Sequence, residues 1–237
     1  MGKMIGLSRN LKMIWLNKAV ELLSENLSEK EYKDKLNEYL SFEIKSPTNL
    51  RKTREILMNL WYYENPELQS LRAQAWSLLE KDPDNALAAH WSIILATYPI
   101  FVDVSRIIGK LSEFEEEFTL RQLKQKLFDE WGERATLFHS IDKIIATMKA
   151  MDALRAEKPG HYTIVRHEVG NDEINALLAS TGMTVEDKGN FTLQDLRSMS
   201  YMFPFKYQIE RDMLMTNHEF TITNIGGEMM VSLTASL

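Results

Sequence analysis

The chain contains no cysteine, which excludes disulfides, zinc–thiolate sites and a cysteine nucleophile and suits a reducing cytoplasm. It also lacks the short motifs that announce catalysis. There is no phosphate-cradling glycine-rich loop, no HExxH pair and no GxSxG. The five histidines stand at 90, 139, 161, 167 and 218, and no cysteine or carboxylate completes a ligand set around any of them. The consecutive carboxylates Glu115, Glu116 and Glu117 point in different directions on a helix and read as a solvated face. No catalytic residue, no metal site and no cofactor are expected, and the chain reads as non-enzymatic.

Long apolar runs are scarce. The stretch "NALAAHWSIILATYPIFV", residues 85–102, is uncharged over a length near the lower limit for a membrane span. It is interrupted by Asn85, His90, Ser92, Thr97 and Pro99 and has no flanking Lys or Arg, so it reads as a buried central helix broken at Pro99. The N-terminal "MGKMIGLSRNLKMIWLNKAVELL" has no apolar core or small-residue cleavage site, and no signal peptide is expected.

The 237 residues, 44% hydrophobic, are enough to bury a core and to form one large or two smaller domains. Net charge is −6, but it is unevenly spread. Residues 1–62 hold 11 Lys and Arg against 8 Asp and Glu, and residues 119–170 hold 9 against 7. The other two blocks, 63–118 and 171–237, carry 4 against 10 and 4 against 9.

The two basic blocks are also where helix pairs are predicted. Residues 8–25 form an amphipathic helix with Leu11, Ile14, Trp15, Ala19 and Leu22 on one face. Ser28 and Glu31 have capping-box spacing, and Ser46-Pro47 marks a second start, so residues 28–62 give two helices joined by a turn. The second carries Arg51, Lys52 and Arg54 in its first turns, against its own dipole, a cost that a bound phosphate relieves. Another helix spans 66–82, and the pair 85–97 and 99–111 follows.

Thr119 opens the second unit, with a helix broken at Gly132 and a long helix from residue 134 to 154. Its expected outer face is Ser140, Lys143, Thr147 and Lys149. "RAEKPGHYTIVR" then supplies a turn and a short strand, the pattern of a winged helix-turn-helix. Beyond residue 170 come a short helix ended by Gly182, another capped near Thr192, and a hairpin about Gly226-Gly227. No internal repeat of fixed period is visible.

The expected fold is mainly α: a helical bundle with two helix-turn-helix-like units, the second winged, and a small C-terminal α+β element ending in a β-hairpin. The division expected is an N-terminal helical domain, 1–112, and a winged-helix-like domain with the hairpin extension, 113–237.

Three stretches, "ALAAHWSIILATYPIFVDV" (86–104), "NLSEKEYKDKLNEYLSFEIKSPTNLRKTREILMNL" (26–60) and "LFHSIDKIIATMKAMDAL" (137–154), resemble the BrxA family of BREX phage-resistance systems. The resemblance covers about residues 8–170. It implies a non-enzymatic, cytoplasmic protein that binds double-stranded DNA beside other proteins of the same defence system, with no membrane partner. On this chain the implied DNA-binding residues are Arg51, Lys52 and Arg54, then Lys143 and Lys149, and in or near the wing Lys158, His161 and Arg166. A different class stays open: a protein-interaction adaptor that never contacts DNA, motivated by the acidic, Met-rich tail with "YMFPFKY".

Overall fold

Capping chemistry places the first three helices. In the computed structural model, which describes residues 6–133, 135–186 and 188–234, α1 spans Met13–Leu23, α2 Glu29–Ser41 and α3 Pro47–Trp61. Ser28 caps α2 reciprocally with Glu31, and Ser46 accepts from the Asn49 N–H ahead of Pro47. The expected helix over 8–25 is therefore shorter at its start. Its face also differs, since Ile14 is 50% exposed while Leu11, Trp15, Ala19 and Leu22 are buried.

Helices α4 (Gln69–Lys81), α5 (Ala86–Thr97) and α6 (Pro99–Leu111) complete the N-terminal half. Pro99 cannot continue α5, and the two axes meet at a bend of 117°. Helix α5 is apolar on nearly every side because it runs through the middle, against α1, α3, α4 and α6. Among the described residues no single helix is long and apolar enough to cross a membrane.

After α6 come strand β1 (Glu117–Thr119), helices α7 (Leu120–Trp131) and α8 (Ala135–Ala150), and strands β2 (Leu154–Lys158) and β3 (His161–Ile164). The three strands form an antiparallel sheet ordered β1-β3-β2. Strand β4 (His167–Glu168) leads to helix α9 (Asp172–Glu186), then β5 (Phe191–Thr192), α10 (Leu193–Arg197), β6 (Phe205–Lys206), α11 (Arg211–Thr216) and the hairpin β7 (Phe220–Ile225) and β8 (Glu228–Leu233). The last sheet is ordered β5-β8-β7, and β4 pairs in parallel with β6.

The two three-stranded sheets share a topology: a short strand, two helices, then a hairpin whose second strand pairs with the first, with β6 inserted between the two helices of the second unit. Their openings also match, "EFTLRQLK" (117–124) against "NFTLQDLR" (190–197). Thr119 and Thr192 each cap the following helix reciprocally with the residue three positions on, Gln122 and Asp195. The chain thus repeats itself in topology where no fixed sequence period is visible.

Several expected boundaries change. The predicted start of α8 at residue 134 lies outside the described residues. Its end is at Ala150, not 154, because Asp152 adopts a left-handed φ of 55° and turns the chain into β2. Glu117, expected in a solvated link, belongs to β1. Gly182 does not end α9; it lies inside it, where a Cβ would stand 2.0 Å from Met199 Sδ. Gly109 in α6 is a tighter case, since a Cβ there would meet the Ser200 carbonyl oxygen at 1.9 Å.

One core runs from Leu7 to Phe205 across residue 112, and a second gathers residues from Ala176 to Val231. Polar bonds tie the halves together. Asp103 of α6 accepts from Arg106 and from the Trp131 indole of α7, each at 2.8 Å, and Arg106 also donates to Glu186 of α9 at 2.8 Å. In α5 the buried His90 meets Asn17 at 2.8 Å and the Trp61 ring edge-on. Burial lowers its pKa to about 3. The unfolded chain takes up this proton below about pH 6.5 and the folded chain does not. Stability is therefore expected to fall between about pH 6 and 4 in urea titrations, and His90→Asn is expected to flatten that fall; an identical slope in the variant would contradict it.

Candidate nucleic-acid interface

The surface built by α7, α8 and the β2–β3 hairpin gathers half of the expected DNA-binding residues, Lys143, Lys149, Lys158 and His161. Gly132, with φ +75°, closes α7 and turns the chain into α8. Helix α8 then buries Leu137, Ile141, Ile144, Ile145 and Met148. The expected outer face is only half right. Ser140 and Thr147 are buried, and Thr147 Oγ1 accepts the Leu11 backbone N–H at 2.8 Å while donating to the Lys143 carbonyl. A hydroxyl with two such partners is as well satisfied inside as outside.

The solvent face that remains carries Thr136, His139, Lys143, Ala146, Lys149 and Ala150. Small residues alternate with cations there. Lys143 is half-buried and Lys149 exposed, and neither has an acidic partner among the described residues. The one nearby acid of this helix, Asp142, is paired with Lys124 at 2.6 Å. Lys149 also sits in the last turn, where the helix dipole favours a cation.

The hairpin turns at Pro159-Gly160, Gly160 taking φ +78°. Its carbonyl accepts the Leu120 N–H at 2.8 Å, which fixes the tip against the start of α7. Arg155 and Lys158 are exposed on β2. Lys158 lies 3.7 Å from Glu117, whose carboxylate is also bonded to the His161 ring. The His161 contact and the Lys158 charge hold the Glu117 carboxyl below the usual carboxylate range. So Lys158 is partly neutralised locally and His161 is bonded to the same carboxylate, while Arg155 has no acidic partner among the described residues.

Arg166 does not extend this surface. Its guanidinium donates to the Phe203 carbonyl at 2.8 Å and to Ser112 Oγ at 3.2 Å, fastening the end of the sheet to the segment before β6. On α3, Arg51 and Lys52 are exposed, but Arg54 turns inward to Glu55 and Asn37. Its side chain is 15% exposed, as befits a structural guanidinium.

Three residues of the α7–α8 surface carry weight that the sequence pattern did not mark. Arg121 is exposed in the first turn of α7, Arg155 opens the hairpin, and Phe138 stands 44% exposed on α8. The signal for Arg121 was its place two residues after the capping Thr119; for Phe138 there was none, because it sits one residue from the buried Leu137.

The C-terminal sheet offers a contrasting surface on the same topology. Helix α11 has 6 residues against 16 in α8, and the hairpin over 220–233 contains no Lys or Arg. Met215, Ile225 and Leu233 are its exposed large apolar residues. Comparison with protein-family models, with curated proteins and with solved structures finds no match for this chain.

Proposed function

We propose that this protein binds double-stranded DNA through a winged helix-turn-helix formed by α6, β1, α7, α8 and the β2–β3 hairpin. The observation that carries the reading is the β1-β3-β2 sheet behind α7 and α8, combined with the cations on the outer face of α8 that have no acidic partner among the described residues. Helix α8 enters the major groove, where Ala146 and Ala150 allow close approach and Lys143 and Lys149 reach phosphates. The hairpin is the wing, with Arg155 and Lys158 set against the neighbouring backbone. Arg51 and Lys52 at the start of α3, in the helix-turn-helix-like pair α2–α3, supply a second, weaker phosphate contact.

Affinity of this kind is largely sequence-independent and depends on salt. The resemblance to the BrxA family extends the proposal: a non-catalytic cytoplasmic accessory of a BREX-type anti-phage system, acting beside the other proteins of that system. Replacing Arg155 and Lys158 together by Ala is expected to weaken duplex binding about fivefold by fluorescence anisotropy near 100 mM salt. Glu228→Ala in the equivalent hairpin of the C-terminal unit is expected to change nothing. Equal loss from both variants would remove the wing from the interface.

A second reading, a protein-docking adaptor, is favoured by the acidic, cation-free C-terminal hairpin and its exposed Ile225. Ile225→Glu leaves the core intact; loss of co-purifying defence-system proteins with DNA binding retained would assign docking to this unit.

A further inference from the structure

Between α7, the first half of α8 and the hairpin tip lies an open cavity of about 600 Å³, large enough for a nucleotide. Its apolar wall is made by Leu120, Phe128 and Phe138. The two phenylalanine planes are 20° apart with centroids at 6.4 Å, and the Phe138 ring is half open to solvent. Lys124, buried and paired with Asp142, covers one face of the Phe138 ring with its Nζ 3.4 Å from the ring centre; Arg121 is exposed at the rim, and His161 closes the far side. Two acids nearby, Asp142 and Glu117, are each already met by a lysine, Lys124 and Lys158.

We infer that this cavity receives one unpaired nucleobase of bound DNA, stacked on the exposed aromatic surface, with the adjoining phosphate held by Arg121. A flat apolar ring with a polar edge and one negative charge beside it is what such a wall and rim complement. A base inside an intact duplex has both faces covered by its neighbours, whereas a base at a bulge or fork offers one. The site therefore selects distorted duplex over intact duplex. This rests on the proposed DNA-binding role and adds the structural class of DNA preferred.

The test compares two labelled duplexes of about 20 base pairs, one fully paired and one with a two-nucleotide bulge, by anisotropy. The bulged duplex is expected to bind about tenfold tighter, the worth of one stacked base. Phe138→Leu, which keeps an apolar side chain at an exposed position, is expected to bring the ratio of affinities to about one; Arg121→Ala is expected to lower it severalfold. Equal affinity of the unaltered protein for both duplexes would overturn the inference while leaving the DNA-binding role standing. So would a tenfold ratio that Phe138→Leu leaves untouched. Absence of binding to either duplex would remove the DNA-binding role and the cavity's assignment together.

Discussion

Trp91→Ala is expected to cost about 4 kcal/mol of stability, the range for deleting a large buried aromatic. Trp91 is fully buried in α5, with ring centroids of Phe101, Phe203 and Phe205 at 4.8, 5.2 and 6.1 Å, all edge-on. Its indole N–H donates to the Tyr201 carbonyl at 3.2 Å. The substitution therefore opens a cavity, loses three ring contacts and leaves a buried carbonyl short of a donor. Because domains of this kind are stable by only about 5–15 kcal/mol, the loss is a large share of the total. Urea unfolding followed by circular dichroism measures it as a lower midpoint. A loss under about 1 kcal/mol would mean that the residues around 203 are not packed on α5 as described.

The second large effect concerns binding. Reversing both charges on α8, Lys143→Glu with Lys149→Glu, is expected to weaken duplex binding about a hundredfold near 100 mM salt. Each phosphate contact contributes roughly 0.9 to the slope of log affinity against log salt, so the slope is expected to become shallower by about 2. Lys149 is exposed and Lys143 half-buried, neither with an acidic partner among the described residues, and the variant is expected to melt within a few degrees of the parent. Reduced affinity with an unchanged slope would point to a folding defect, and unchanged affinity would take α8 out of the interface.

Elements that begin with local chemistry were legible in the sequence. Ser28 with Glu31, Ser46 with Pro47, Thr119, Thr192 and the Gly226-Gly227 turn all mark real boundaries, because caps and turns are decided within four residues. The break at Pro99 was legible for the same reason. What stayed hidden depends on distant partners. Thr147 looks polar and outward until Leu11, far away in the chain, is placed against it.

Strand β2 was missed because only Leu154 of its five residues is buried, which leaves no alternation, while Met148, Met151 and Leu154 continue a helical spacing past the turn at Asp152. Gly182 reads as a helix stop, yet its use is close approach to Met199. Of the candidate interface, Lys143, Lys149 and Lys158 were visible as cations in a basic block. Arg54 and Arg166 were equally visible, and only their partners, Glu55 and Asn37 for one and Phe203 for the other, distinguish them as structural.

The measurement that bears most directly on the DNA-binding proposal is the affinity of the intact protein for a labelled random-sequence duplex, titrated from about 50 to 200 mM salt. Phosphate contacts from α8, the hairpin and α3 predict a log-linear fall with a slope of about −4 to −6, corresponding to roughly five or six contacts. Absence of binding at the lowest salt, or an affinity indifferent to salt, would contradict it.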